Sequence, residues 1–151
     1  MDAKRLIEID KTYLRMAHEW AKLSRANRMQ VGCLVVKDRM IISDGFNGTP
    51  TGFDNDCEER NTVTNILMGK DKTVTKPEVL HAESNAITKL AKSTQSSNGA
   101  TMYLTLSPCL DCAKLIIQSG IQRVVYSEQY RIKYGIRLLE QGNIPTEHLE
   151  L

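Results

Sequence analysis

Cys109 and Cys112 are separated by Leu110 and Asp111 and stand directly behind Pro108, while His81 and Glu83 lie upstream with one residue between them. Proline suits the first turn of a helix, so this spacing sets two sulfurs one turn apart at a helix start. Two thiolates on one face can grip a single metal ion, and the positive end of the helix favours their ionised form. His81 offers a third ligand from elsewhere in the chain. A Cys₂His set leaves the fourth corner of a Zn²⁺ tetrahedron open, which marks a catalytic rather than a structural zinc. Glu83 is close enough in sequence to reach whatever enters that corner, and a shuttling carboxylate there is worth about 10²–10⁴-fold in rate. Each part alone has a plainer reading. A bare Cys-x-x-Cys serves equally as a structural half-site or a redox pair, and a lone histidine as a satisfied core residue. A structural site would need a fourth protein ligand and leave Glu83 idle, and a redox pair does not call for His81-x-Glu83. The four residues together point to zinc-assisted hydrolysis.

The elements that must position these residues follow from apolar spacing. Over 10–24, Tyr13, Met16, Ala17, Trp20, Ala21 and Leu23 recur at helical steps, predicting an amphipathic helix. A polar, basic exit loop, 24–28, follows. Residues 31–36 and 40–43 read as two strands around a Lys37-Asp38-Arg39 turn, and the second runs into a glycine-rich loop, 45–52. A short helix is expected within 57–68, then a mobile surface connection over 69–78. From His81 a helix buries Ala82, Ala86, Ile87 and Leu90; 100–106 alternates as a strand and delivers the chain to the cysteine helix, which stops at Gly120. A strand at 122–126, a helix at 130–141 with Ile132, Ile136 and Leu139 inward, and a last short strand within 143–149 complete the pattern. Strands and helices alternate after an initial hairpin, so a mixed sheet between helices is expected.

The chain of 151 residues is the size of one domain, residues 1–151, and carries 20 basic and 18 acidic residues for a formal net charge of +2. That balance and an aromatic fraction of 5% give no basic, stacking track for a nucleic acid polymer. No apolar run approaches the roughly 18 residues of a membrane span. The opening Met-Asp-Ala-Lys-Arg-Leu lacks a signal-peptide core, and four cysteines, two of them within the metal motif, suit a reducing compartment. A cytoplasmic protein with no membrane contact is expected.

The pattern His-x-Glu with Pro-Cys-x-x-Cys is the established signature of zinc nucleobase deaminases. More specific are the Gly45-Phe46-Asn47-Gly48-Thr49-Pro50-Thr51-Gly52 loop, the His81-Ala82-Glu83-Ser84-Asn85-Ala86-Ile87 helix, and the run from Met102 to Cys112. On these residues the chain resembles the deoxycytidylate deaminases of the zinc-dependent cytidine deaminase superfamily. The resemblance implies an α/β fold, a cytidine deaminase-like three-layer α/β/α sandwich with a mixed five-stranded sheet. It implies hydrolysis of dCMP to dUMP and ammonia, supplying precursor for thymidylate synthesis. It also implies a homohexamer activated by dCTP with Mg²⁺ and inhibited by dTTP. His81, Cys109 and Cys112 would hold the zinc and Glu83 would move the protons. Asn47 would hold the deoxyribose hydroxyl, Ala82 and Ser107 would offer backbone groups to the pyrimidine and its C4 substituent, and His81 and Tyr130 would bracket the base, with Tyr126 the competitor for that place. Ser24, Arg25, Asn27 and Arg28 are candidates for the phosphate, since arginine binds two oxygens at once. The effector site would involve Gly45, Gly48, Gly52 and Glu58. Some relatives carry a second, structural zinc, but residues 24–28 hold no cysteine and 53–80 no histidine.

Two rivals remain from the sequence. One is a deaminase of free (deoxy)cytidine, or of cytosine or adenine in a polynucleotide; the former would not need Arg25 or Arg28. The other is a catalytically silent module that keeps the zinc, against which an intact Glu83 argues.

Overall fold

A computed structural model describes residues 1–69 and 72–151, and for Thr64 the backbone alone. Helix α1 (Ala3–Ala21) leads into a hairpin of β1 (Gly32–Lys37) and β2 (Met40–Phe46). A two-stranded ribbon, β3 (Glu58–Arg60) with β4 (Thr73–Thr75), encloses the short α2 (Thr62–Met68). Then come α3 (Ala82–Leu90), β5 (Thr101–Leu106), α4 (Leu110–Gln118), β6 (Arg123–Glu128), α5 (Tyr134–Gln141) and β7 (Thr146–His148). The main sheet runs β2-β1-β5-β6-β7. β1 is antiparallel to β2 and β5, whereas β5, β6 and β7 are parallel, so the expected mixed five-stranded sheet is present. Among the described residues no helix is long and apolar enough to cross a membrane.

Alternation along the central strands makes the layers. Cys33, Val35, Met102, Leu104, Val124 and Tyr126 face one side, where Ala82 and Ala86 of α3, Ala113 and Ile116 of α4, and Ile136 and Leu139 of α5 pack on them. Leu34, Val36, Tyr103 and Val125 face the other side and meet Leu14 and Ala17 of α1. A side chain buried as fully as Leu14 contributes about 1.5–3 kcal/mol. The result is the three-layer α/β/α sandwich.

Several boundaries differ from the sequence expectation. α1 begins at Ala3 rather than 10, because the Asp2 side chain accepts the Arg5 amide at 2.7 Å and caps it. Its buried positions are Asp10, Leu14, Ala17 and Ala21, while Met16, Trp20 and Leu23 are exposed. Asp10 is an ion-pair anchor: it accepts two bonds from Arg123, at 3.0 and 2.8 Å, and one from the Tyr103 hydroxyl at 2.6 Å. Arg123 also binds Glu147, so one cluster joins α1 to β5, β6 and β7. β2 runs on to Phe46 and takes Gly45 out of the glycine loop. The expected connection 69–78 carries β4, whose register sets Glu58 against Thr75; Lys70 and Asp71 lie outside the described residues. α5 starts at Tyr134, not 130, since the Tyr130 amide donates to Ser107 Oγ at 2.7 Å and the chain turns there; Ile132, expected inward, is exposed.

Candidate active site

Two helix starts meet at the carboxyl end of β5. His81 is the residue before α3, with extended backbone, and Cys109 is the N-cap of α4, its sulfur accepting the Cys112 amide at 3.5 Å. His81 Nδ1 lies 3.5 Å from Cys109 Sγ and 3.4 Å from Cys112 Sγ. All three ligand atoms fall within 4.8 Å of one another. With Zn–N near 2.0–2.1 Å and Zn–S near 2.3 Å, the N···S edge of a tetrahedron is about 3.6 Å. The spacing therefore fits one zinc ion held by one imidazole and two sulfurs. The fit extends to the protons. Hydrogen bonds from the Cys112 thiol and His81 push Cys109 well below the ordinary thiol range. Cys112, bonded to Cys109 and buried, is pushed up. His81 is raised, chiefly by its bond to Cys109. A bound cation would take the place of the protons that these groups share.

Two glycines seat these helix starts against their neighbours. A Cβ on Gly45 would lie 2.1 Å from the Ala82 carbonyl oxygen, so β2 and the first turn of α3 touch backbone to backbone. On the sulfur side, a Cβ on Gly135 would lie 2.1 Å from the Pro108 carbonyl, so α5 presses on the turn that carries Cys109.

Glu83, in the first turn of α3, is 4% exposed and borders the same cavity as His81 and Cys109. Burial raises its carboxyl to about 7, against the bonds and charges that lower it, among them its own amide, His81 and the Cys112 thiol. A group poised there can both accept and return a proton at neutral pH.

The cavity measures about 360 Å³, the lower part of the range for small-ligand sites. Ala82, Ser107, Asn47 and Tyr130 line it, as do Val31 and Leu106. Tyr126 does not: it is buried and stacks on His148. The outer wall is Ala26, Arg28 and Met29 of the exit loop, facing Glu58, Thr75 and Val79 of the ribbon and the strand-like approach to His81. Ser24, Arg25 and Asn27, expected at the phosphate, are outside this lining. Ser24 is buried, its hydroxyl donating to the Asn47 carbonyl at 2.7 Å; Arg25 is exposed; Asn27 is bound to Glu58. The expected effector residues also separate. Gly45 lies beneath α3, Gly48 exchanges both backbone bonds with Leu80 just ahead of His81, and Gly52 sits in an exposed turn. Glu58 belongs to the wall of the zinc cavity itself. Sequence reasoning missed Met29, Thr75 and Val79 as wall residues: the ribbon that brings Thr75 carries no local strand signal, and Met29 and Val79 lie outside any helix or strand.

The profile of the cytidine and deoxycytidylate deaminase zinc-binding region matches residues 7–128. The chain belongs to this family. The ComE operon protein 2 of Bacillus subtilis is 34% identical over 140 residues, covering 92% of this chain and 70% of that protein. The deoxycytidylate deaminase of Enterobacteria phage T4 is 37% identical over 149 residues, covering 79% of this chain and 77% of that protein. A crystal structure of the dCMP deaminase from cyanophage S-TIM5, in complex with dCMP and dUMP, superposes with a TM-score of 0.85 at 40% identity, covering 98% of each chain. The three side chains whose spacing fits zinc, His81, Cys109 and Cys112, lie within the matched residues.

Proposed function

We propose that this chain hydrolyses dCMP to dUMP and ammonia. The observation that carries it is the buried Glu83 opening onto one cavity with His81 and Cys109, with Cys112 behind them. Similarity to phage dCMP deaminases supports the choice of substrate. A bound zinc supplies the Lewis acidity that makes hydroxide available at neutral pH.

The residues of the chain do the rest. His81 and Tyr130 bracket the base. The Ala82 amide and a Ser107 backbone group orient the pyrimidine so that C4 faces the zinc corner. Asn47 holds the rim: its Oδ1 accepts the Val31 amide at 2.8 Å and its Nδ2 donates to the Met29 carbonyl at 2.7 Å. One lone pair and one proton remain on that side chain for a deoxyribose hydroxyl. Glu83 takes a proton from the attacking water and passes it to N3 of the ring as oxygen adds to C4. It then takes the second proton from the new C4 hydroxyl and gives it to the amino nitrogen, which leaves as ammonia as the C4–N bond breaks and C4=O forms. Arg28 at the outer wall faces the 5′-phosphate.

The same reading extends to regulation, with dCTP and Mg²⁺ activating, dTTP inhibiting, and a cytoplasmic homohexamer of single-domain subunits supplying dUMP for thymidylate synthesis; membership of the family is its support. Ultraviolet monitoring of cytosine loss, with dCMP, deoxycytidine and single-stranded DNA as substrates, tests the chemistry. Adding dCTP or dTTP tests the regulation, and sedimentation the assembly. Equal turnover of dCMP and deoxycytidine would overturn the nucleotide assignment.

A further inference from the structure

Glu58 is a carboxylate only 8% exposed, carried on the ribbon and forming part of the wall opposite Arg28. Among the described residues no cation pairs with it. Its lone pairs go to the exit loop instead. Oε1 accepts the Asn27 amide at 2.9 Å and the Arg28 amide at 3.2 Å, and Oε2 accepts Asn27 Nδ2 at 3.4 Å. Two successive amides converging on one charged oxygen make a strong, directional clamp. The segment between α1 and β1 has no helix or strand to hold it. Its near side is tied through Ser24 and Asn47: Ser24 Oγ donates to the Asn47 carbonyl at 2.7 Å and Asn47 Nδ2 to the Met29 carbonyl at 2.7 Å. Glu58 ties its far side, at the two residues that end on Arg28. No carboxylate among the described residues pairs with the Arg28 guanidinium, which leaves its fork for a ligand in the cavity.

We propose that Glu58 is a positioning residue: by clamping the Asn27 and Arg28 amides it aims the Arg28 guanidinium at the 5′-phosphate of the substrate, and so sets selectivity for a nucleoside monophosphate over the free nucleoside. This rests on the dCMP reading above. The hydrogen bonds of the Glu58 carboxylate go to Asn27 and Arg28 and none to His81, Cys109 or Cys112, so on this proposal its effect falls on the phosphate.

Steady-state kinetics of the full-length, zinc-loaded protein on dCMP and on deoxycytidine test it, with zinc content and thermal unfolding measured beside them. Losing the charged acceptor in Glu58→Ala is expected to raise KM for dCMP about tenfold or more, with kcat little changed and kcat/KM for deoxycytidine unaffected. Glu58→Gln keeps an oxygen that can accept both amides and is expected within about threefold of the parent protein. Glu58→Asp retains the charge but is one methylene short of the amides, and should behave as Glu58→Ala; it carries the test if the alanine variant does not fold. Arg28→Ala is expected to lose at least as much for dCMP, and Glu58→Ala added to Arg28→Ala should cost nothing further, since the one acts through the other. Equal losses on both substrates, a loss confined to kcat, failure of Glu58→Gln to rescue, or full additivity with Arg28→Ala would overturn the proposal. A parent protein inactive on dCMP would overturn the dCMP reading instead.

Discussion

Replacing Gly45 with alanine would test how tightly the first turn of α3 is seated. The new methyl would lie 2.1 Å from the Ala82 carbonyl oxygen and 2.8 Å from the Ala86 amide nitrogen, against an ordinary contact of about 3.4 Å. Both atoms are helix backbone, so no rotamer change relieves the overlap. Either α3 lifts by about 1.3 Å or β2 bends away from it. Lifting strains the Ser43 Oγ bond to the Ala86 carbonyl, 2.7 Å, and the Asn85 Nδ2 bond to the Phe46 carbonyl, 3.0 Å. Bending β2 disturbs its register with β1, where Gly45 stands opposite Cys33. Overpacking of this kind costs about 1–3 kcal/mol. Because His81 and Glu83 ride on the displaced turn while the cysteines do not, a shift near 1 Å should also cost on the order of 10²-fold in turnover. The assays are thermal unfolding, zinc content by metal analysis, and kcat/KM on dCMP. The expected result is a less stable protein with reduced zinc and about a hundredfold lower kcat/KM. A Gly45→Ala protein with full zinc and parental turnover would refute the reasoning that backbone contact at Gly45 sets the geometry of the centre.

Glu83→Gln should keep zinc and fold while losing about 10²–10⁴-fold in turnover on dCMP, measured with matched metal content. Asp10→Ala leaves Arg123 paired with Glu147 alone and takes the acceptor from the buried Tyr103 hydroxyl, and should destabilise the protein by about 1–3 kcal/mol in denaturant unfolding without altering the zinc content. Tyr103 is raised above the ordinary phenol range by burial and by Asp10. An acid whose folded value is raised loses stability as pH climbs past its unfolded value of about 10. Unfolding free energy should therefore fall from about pH 10 upward, and Tyr103→Phe should flatten that fall in alkaline titrations. Removing zinc with a chelator should expose Cys109, half-buried, to a thiol reagent at once, while Cys33 and Cys57, both buried, react only on unfolding.

The parts that were legible in the chain are those whose signals are local. The β-branched run over 31–36 and the alternation over 100–106 named two of the central strands. His81-x-Glu83 and Pro108-Cys109-x-x-Cys112 named the ligands, because each half sits within one helix turn. What could not be read depends on partners distant in the chain. Glu58 meets Asn27 across 31 residues, and Asp10 meets Arg123 across 113. Nothing near Glu58 or Thr75 announces that they pair, since three-residue strands have too little pattern to show. Gly45 reads in sequence as the start of a glycine-rich loop, yet its meaning lies in a helix that begins 37 residues later. The start of α1 was missed because its first turns bury almost nothing, leaving Asp2 as their sole mark.

The helix starts that carry His81, Glu83, Cys109 and Cys112 are packed on the sheet, whereas the outer wall comes from an exit loop and a two-stranded ribbon joined chiefly by polar bonds. On the proposed reading the helix starts meet the base, and only the outer, phosphate end of the substrate is met by separate pieces of chain. If that reading holds, drift in the loop or the ribbon would retune which 5′ substituent is admitted while the centre of His81, Glu83, Cys109 and Cys112 stays untouched, a division that lets one scaffold diversify its diet without reinventing its chemistry.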